Sequence, residues 1–169
     1  MSVEIRSETA ADVPAIEAVT ARSFLNAPHT SHTEQHIVNA LRRAGQLTVS
    51  LVAVVAGTVI GHVAISPVAI TDGASRWFGL GPISVLPQHQ RCGVGSQLMR
   101  EALRILRERR ASGCVVLGEP EYYGRFGFVA DPNLALPGVP PQYFQAISFD
   151  DSKPRGRVTY HEAFAAPAG

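Results

Sequence analysis

The sequence predicts a mixed α/β domain built on one central sheet. Three observations carry this. Two segments of helical spacing come first, β-rich runs parted by short turn signals follow, and a strand–helix–strand unit comes next. Val3 to Arg6 alternates weakly and reads as a first strand. Thr9 opens a helix with Asp12 in capping-box spacing, and Ile16, Val19 and Phe24 give residues 10 to 24 an apolar stripe. Asn26 to Thr33 is polar, holds a proline and reads as loop. Glu34 to Ala44 is a second helix, with Ile37, Val38 and Leu41 on one face and Gly45 as its stop.

Leu47 to Val55 and Thr58 to Ile70 are β-rich and break at Ala56-Gly57, a hairpin signal. Thr71-Asp72-Gly73 is a second turn, and Trp77 to Leu86 a third run. Gly79, Gly81 and Pro82 interrupt that run. A proline in mid-strand removes a ladder donor, so an irregular or bulged strand is expected there. In the clearest helix, Val94, Leu98, Ala102, Ile105 and Leu106 recur at helical spacing to about Ser112, with Gly113 as the stop. Cys114 to Leu117 is a short, wholly apolar strand of the kind buried on both faces. Glu119 to Phe126 reads as a helical turn, the chain is Pro-rich from Phe128 to Gln142, and 142–149 and 157–164 are two more strands.

Composition excludes several classes of function. The chain is 46% apolar and 17% charged, against roughly 25% charged in ordinary soluble domains. That is not a disordered, highly charged chain. Its 169 residues suit one domain, 1–169. A formal charge of +1 gives no field that would favour a nucleic-acid or membrane partner, and no apolar run nears the ~18–20 residues of a membrane span. Cys92 and Cys114 match no metal spacing, and residues 1–10 lack the basic-then-apolar pattern of a secretory signal. The simplest setting is a reducing, cytoplasmic one.

The chemistry-bearing stretch is Val85-Leu-Pro-Gln-His-Gln-Arg-Cys-Gly-Val-Gly-Ser96. A strand ends, a short loop follows, and Gly93-x-Gly95 opens the long helix. The first N–H groups of a helix have no intrahelical partner and sit at the positive end of its dipole, so a glycine-lined entry makes an anion cradle. The dinucleotide fingerprint needs a third glycine where Leu98 stands, and a P-loop needs a lysine that is absent here. Alone, Gly-x-Gly also marks a tight turn into a helix.

Two blocks together say more. Gln90-x-x-Gly93-x-Gly95 after an irregular strand resembles the coenzyme A diphosphate loop of the GNAT superfamily of N-acetyltransferases. Tyr123-Gly-Arg-Phe-Gly127-Phe128 resembles that family's Tyr-x-x-x-Gly-Phe, at the usual distance downstream. The strings at 80–87 and 117–128 are similar to its YhbS-like branch, and the resemblance runs through the final Val158-x-Tyr160-x-x-x-Phe164.

The resemblance implies a mixed, mostly antiparallel sheet with splayed central strands and flanking helices. It implies acetyl-CoA as co-substrate, no metal, and a primary amine as acceptor. Ile83, Ser84 and Val85 would pair with the pantetheine arm, the Val85 amide polarising the thioester carbonyl. Gln90 and the backbone of Arg91, Cys92, Gly93, Val94, Gly95 and Ser96 would hold the diphosphate. Tyr123 would be the general acid; Tyr122 beside it is read as a packing residue, and Arg125 as a surface or ion-pair residue. Cys92 is rejected as a nucleophile, because a bound phosphate opposes its thiolate. Many relatives carry an asparagine before the tyrosine, but residues 114–119 hold none, which leaves the base open between Glu119, Glu34, His29, His32 and water. His29-x-x-His32-x-x-x-His36 lacks a His-Glu-x-x-His pattern and is read as a solvated loop or an acceptor contact rather than a metal site. A non-catalytic CoA-binding sensor and a protein lysine or N-terminal acetyltransferase are the alternatives. The latter predicts an acidic groove, and no acidic cluster marks the acceptor region, so a small acceptor is favoured. Relatives are often dimers, which leaves a homodimer open.

Residues 91 to 110 hold six arginines and two glutamates, a local balance of +4 hidden in the near-neutral total. Coenzyme A carries about −4, so a small, strongly anionic ligand at one helix end fits this chain.

Overall fold

A computed structural model describes residues 2–26 and 32–165. The strands are β1 (Glu4–Ser7), β2 (Val49–Val55), β3 (Thr58–Ile70), β4 (Trp77–Val85), β5 (Gly113–Leu117), β6 (Val129–Ala130), β7 (Leu134–Ala135), β8 (Phe144–Ser148) and β9 (Gly156–Tyr160). The helices are α1 (Val13–Phe24), α2 (Glu34–Arg43), α3 (Val94–Glu108) and α4 (Pro120–Gly124). The sheet runs β1-β2-β3-β4-β5-β8-β6, while β9 pairs with the far end of β3 and with β7. Pairing is antiparallel except between β4 and β5, the strands joined through α3, and between β7 and β9.

Each face of the sheet has its own cover. A Cβ built on Gly61 would lie 3.2 Å from Leu98 of α3, so α3 packs on that face. Its neighbour His62 and the register partner Ser84 point the other way, where Thr20 of α1 lies 3.4 Å from Ser84. Leu98, Met99, Ala102, Leu103 and Leu106 of α3 are buried, as helical spacing dictates, whereas Ile105 is only partly covered. Truncating Leu98 to Ala would cost about 2–5 kcal/mol. On the opposite face, Trp77, Val115, Phe144 and Val158 form a second cluster with Leu134 of β7.

Three sequence expectations need correction. The long helix stops at Glu108, not near Ser112. Arg110 takes the left-handed cap at φ 58°, and the Ala111 N–H closes back on the Leu106 carbonyl at 3.0 Å. Gly113 is therefore not a helix stop; it begins β5, where the Trp77 ring occupies the space a side chain would need. The Pro-rich segment after Phe128, for which no element was expected, holds the short strands β6 and β7. Residues 161–164 are not strand, since the chain turns into a short 3-10 helix at Glu162.

Candidate active site in the sheet cleft

The cleft begins where two strands part. β4 pairs with β5 only at Trp77↔Gly113, Phe78↔Cys114 and Gly79↔Val115. From Leu80 to Val85 it keeps β3 on one side, while β5 continues along β8. The parting coincides with the Gly79-to-Pro82 interruption. There the register slips, so that Val63 and Ile65 of β3 oppose Ile83 and Leu80. Pro82 has no N–H to give the ladder, so the bulge loses little there. Beyond it, Leu86 donates to the Ile60 carbonyl at 2.8 Å. Ladder bonds alternate, so the Ile83 and Val85 amides face away from β3, into the cleft. The Val85 N–H meets the Ser23 hydroxyl of α1 at 3.3 Å.

The next turn closes one end of the cleft. Gln90 Nε2 donates to the Val85 carbonyl at 3.0 Å, tying loop to strand. Arg91 and Gly93 both take left-handed φ, 63° and 84°, so successive amides curve into a concave nest. Gly93 meets this demand without strain, as a residue with a Cβ does not. The first α3 bond runs from Gln97 to the Gly93 carbonyl at 3.1 Å, so the Val94, Gly95 and Ser96 amides are open at the helix start. A Cβ on Gly95 would sit 2.9 Å from the Tyr122 hydroxyl.

These elements enclose about 370 Å³, lined by Ile83, Ser84, Val85, Gln90, Arg91, Gly93, Gly95 and Ser96 with Tyr122 and Arg125. Among the described residues, two guanidinium groups and no carboxylate line it. The open amides, the nest and the two cations fit a diphosphate group. Most of the loop residues singled out by sequence are thus brought together. Val94 instead turns its side chain into the core, and Cys92 stands exposed with its thiol 3.5 Å from the Gln90 carbonyl.

The two tyrosines divide differently from the sequence reading. Tyr122 does pack, edge-on to Tyr123 and Phe126 at 5.0 and 5.4 Å, but it also lines the cleft. Arg125 stacks 4.7 Å over the Tyr122 ring. The signal was the Tyr122-x-x-Arg125 spacing, which puts both on one side of a helical turn. Tyr123 sits beneath Gly118 and against Phe128, at 6.1 Å, and does not line this cavity. Burial, with Tyr122 close by, pushes its hydroxyl up to about 12, so it remains a protonated donor at physiological pH.

Of the candidate bases, Glu119 is exposed at the start of α4. Glu34 begins α2 with one carboxylate oxygen buried, and His32 precedes it with φ 58°. His29 lies outside the described residues. Among the described residues no cluster of His, Cys, Asp or Glu has the makings of a metal site.

Known proteins share this architecture. Residues 4–130 match a family model described as an acetyltransferase (GNAT) domain. The chain is 36% identical over 167 residues to the uncharacterized N-acetyltransferase YhbS of Escherichia coli K12, covering 95% of this chain and 97% of that one. A crystal structure of a GNAT family acetyltransferase from Brucella melitensis in complex with acetyl-CoA matches with a TM-score of 0.87 at 44% identity, over 96% of this chain and 98% of the other. The structure of Escherichia coli YhbS in complex with CoA matches at 0.88 and 36% identity, over 96% and 92%.

Proposed function

This chain belongs to the GNAT family of acetyltransferases, and from that premise we propose that it moves an acetyl group from acetyl-CoA to a primary amine by direct attack in a ternary complex. The observation that carries this reading is the parted pair β4–β5 ending at an open helix start. The diphosphate of acetyl-CoA binds the open amides of α3 and the loop before it, with Arg91 and Arg125 offsetting its charge. The pantetheine arm lies along the outward amides of β4. The thioester carbonyl then takes the place of the Ser23 hydroxyl at the Val85 amide, which polarises it.

The amine nitrogen attacks the carbonyl carbon, the C–N bond forms and the C–S bond breaks. The extra proton on nitrogen leaves to water or to Glu34. Sulfur takes a proton from Tyr123, which is refilled from solvent. A phenol near 12 lies above a thiol's ordinary ~8.5–9. It therefore acts first as a hydrogen-bond donor to the developing thiolate, and positioning supplies much of the remaining acceleration.

Two measurements test this together: calorimetric binding of acetyl-CoA, and release of the CoA thiol with a panel of amines. Binding and amine-dependent release are expected. Tight binding without transfer to any amine would make the protein a CoA sensor instead.

A further inference from the structure

The arginines of α3 are held in two ways. Arg104 pairs with Glu101 and Glu108 of the same helix. Arg100 and Arg107 form no such pair, nor does Arg125 after α4, with any carboxylate among the described residues. Each of these three is laid over a ring instead. Arg100 stands 5.4 Å and Arg125 5.5 Å from the centre of Phe126, and Arg107 stands 4.8 Å from that of Phe149. A guanidinium resting on a ring keeps the N–H donors at its edge for another partner. The Nε of Arg125 donates to the Tyr122 carbonyl at 3.4 Å, which leaves its two terminal nitrogens.

The three arginines, with Leu103 and Phe126, line a second cavity of about 220 Å³. All three are exposed, so a solute reaches them from solvent. Arg125 also lines the first cavity, so one side chain is common to both. Ser96, Arg100, Leu103 and Arg107 recur at helical spacing and share one stripe of α3. Ser96 lines the first cavity, and Arg100 opens the second about 6 Å further along the helix.

We infer that this second cavity binds a phosphomonoester, the 3′-phosphate on the ribose of coenzyme A. The inference rests on the acetyl-CoA reading above. In the coenzyme the diphosphate is esterified to the 5′ oxygen of that ribose, so a single sugar separates the two anionic groups. About one helical turn and the shared Arg125 separate the two cavities. A phosphomonoester carries about −1.5 to −2 charge at pH 7 and three acceptor oxygens, which suit the edges of three guanidinium groups. The donor class is then the thioesters of the 3′-phosphorylated coenzyme. A phosphopantetheine arm on a carrier protein has no ribose and lacks this anchor.

The test is calorimetric binding of CoA, of 3′-dephospho-CoA and of inorganic phosphate to wild type and to the double variant Arg100→Gln, Arg107→Gln, with thermal unfolding of both proteins. Arg125 stays in place, because it also lines the first cavity. Wild type is expected to bind CoA at least about tenfold more tightly than dephospho-CoA, the worth of one charge-assisted hydrogen bond. In the double variant CoA should weaken roughly tenfold and dephospho-CoA stay within about twofold, so the preference closes. Tm should not move, since both side chains are exposed; if it falls, each single variant takes the place of the double. Equal affinities in wild type would overturn the inference and leave the acetyl-CoA reading standing, and phosphate binding lost in the variant would then make the cavity a site for free phosphate. An equal loss for both coenzymes, or a preference that survives in the variant, would also overturn it. Wild type that binds neither coenzyme overturns the acetyl-CoA reading itself, and this assignment with it.

Discussion

The two halves of the sheet treat their polar groups in opposite ways. Around β1–β3 the side chains are tied together. Arg6 grips Asp12 at 2.7 and 3.1 Å, and Asp12 also takes the Thr9 amide at 2.7 Å. Arg42 grips Glu8 at 2.9 and 2.7 Å, Glu8 takes the Ser50 hydroxyl, and Ser50 meets His62 Nε2 at 2.7 Å. Because the one Ser50 proton goes to Glu8, His62 donates from Nε2 and is neutral, its Nδ1 alone left over. Around β4–β5 the backbone amides at the end of β4 and the start of α3 face a cleft. Hydrogen-bonded side chains hold a shape, whereas open backbone amides leave room at a cleft.

The largest test of this contrast falls on the open half. Gly95→Asp places a carboxylate among the helix-start amides and drives into the Tyr122 hydroxyl. Acetyl-CoA affinity should fall by more than about 100-fold in calorimetry, since like charges repel strongly in a partly enclosed site. Unchanged affinity would move the diphosphate elsewhere. Tyr123→Phe should lower kcat by roughly 10²-fold with acetyl-CoA binding intact. With its hydroxyl near 12, Tyr123 stays protonated below that value. Activity should therefore show no alkaline decline up to about pH 10 that is absent in the variant. A decline near pH 8 that vanishes in Tyr123→Phe would contradict this assignment of its environment.

The closed half should answer to acid. Burial lowers His62 from 6.5 to about 4; burial by itself would raise Glu8, but the Arg42 and Ser50 bonds together outweigh it and lower it. Both shifts are depressions, so the unfolded chain binds protons first. The His62 contribution is complete above about pH 6.5 and drains away as pH falls toward 4, whereas that of Glu8 holds above its ordinary 4.5 and is lost only below it. Urea unfolding at pH 4.5 should show about 2 to 3 kcal/mol less stability from His62 alone than at pH 7, and His62→Leu should flatten that slope. The smallest effect belongs to neither half. Arg104→Ala removes pairs with Glu101 and Glu108 on an exposed helix face, and Tm should not move measurably.

Legibility followed the range of the interactions. The apolar stripes of α2 and α3 repeat within a turn or two and were readable along the chain. The Gly93-x-Gly95 entry was readable because a left-handed φ and an open helix start are local demands. The end of α3 was misread: Arg110 supplies the cap, while Gly113 answers to Trp77, a residue 36 positions away in the sequence. The two-residue strands β6 and β7 are too short to leave a periodicity.

By itself, then, the sequence determined the order of elements, the bulged β4 and the glycine turn into α3, because neighbours along the chain decide those. The tertiary structure alone decided that Tyr122 reaches the cleft beside Gly95, that Ser23 meets the Val85 amide, and that Tyr160 crosses Gly79. Those are encounters between side chains tens of residues apart, set by sheet register and helix docking, and no local pattern encodes them.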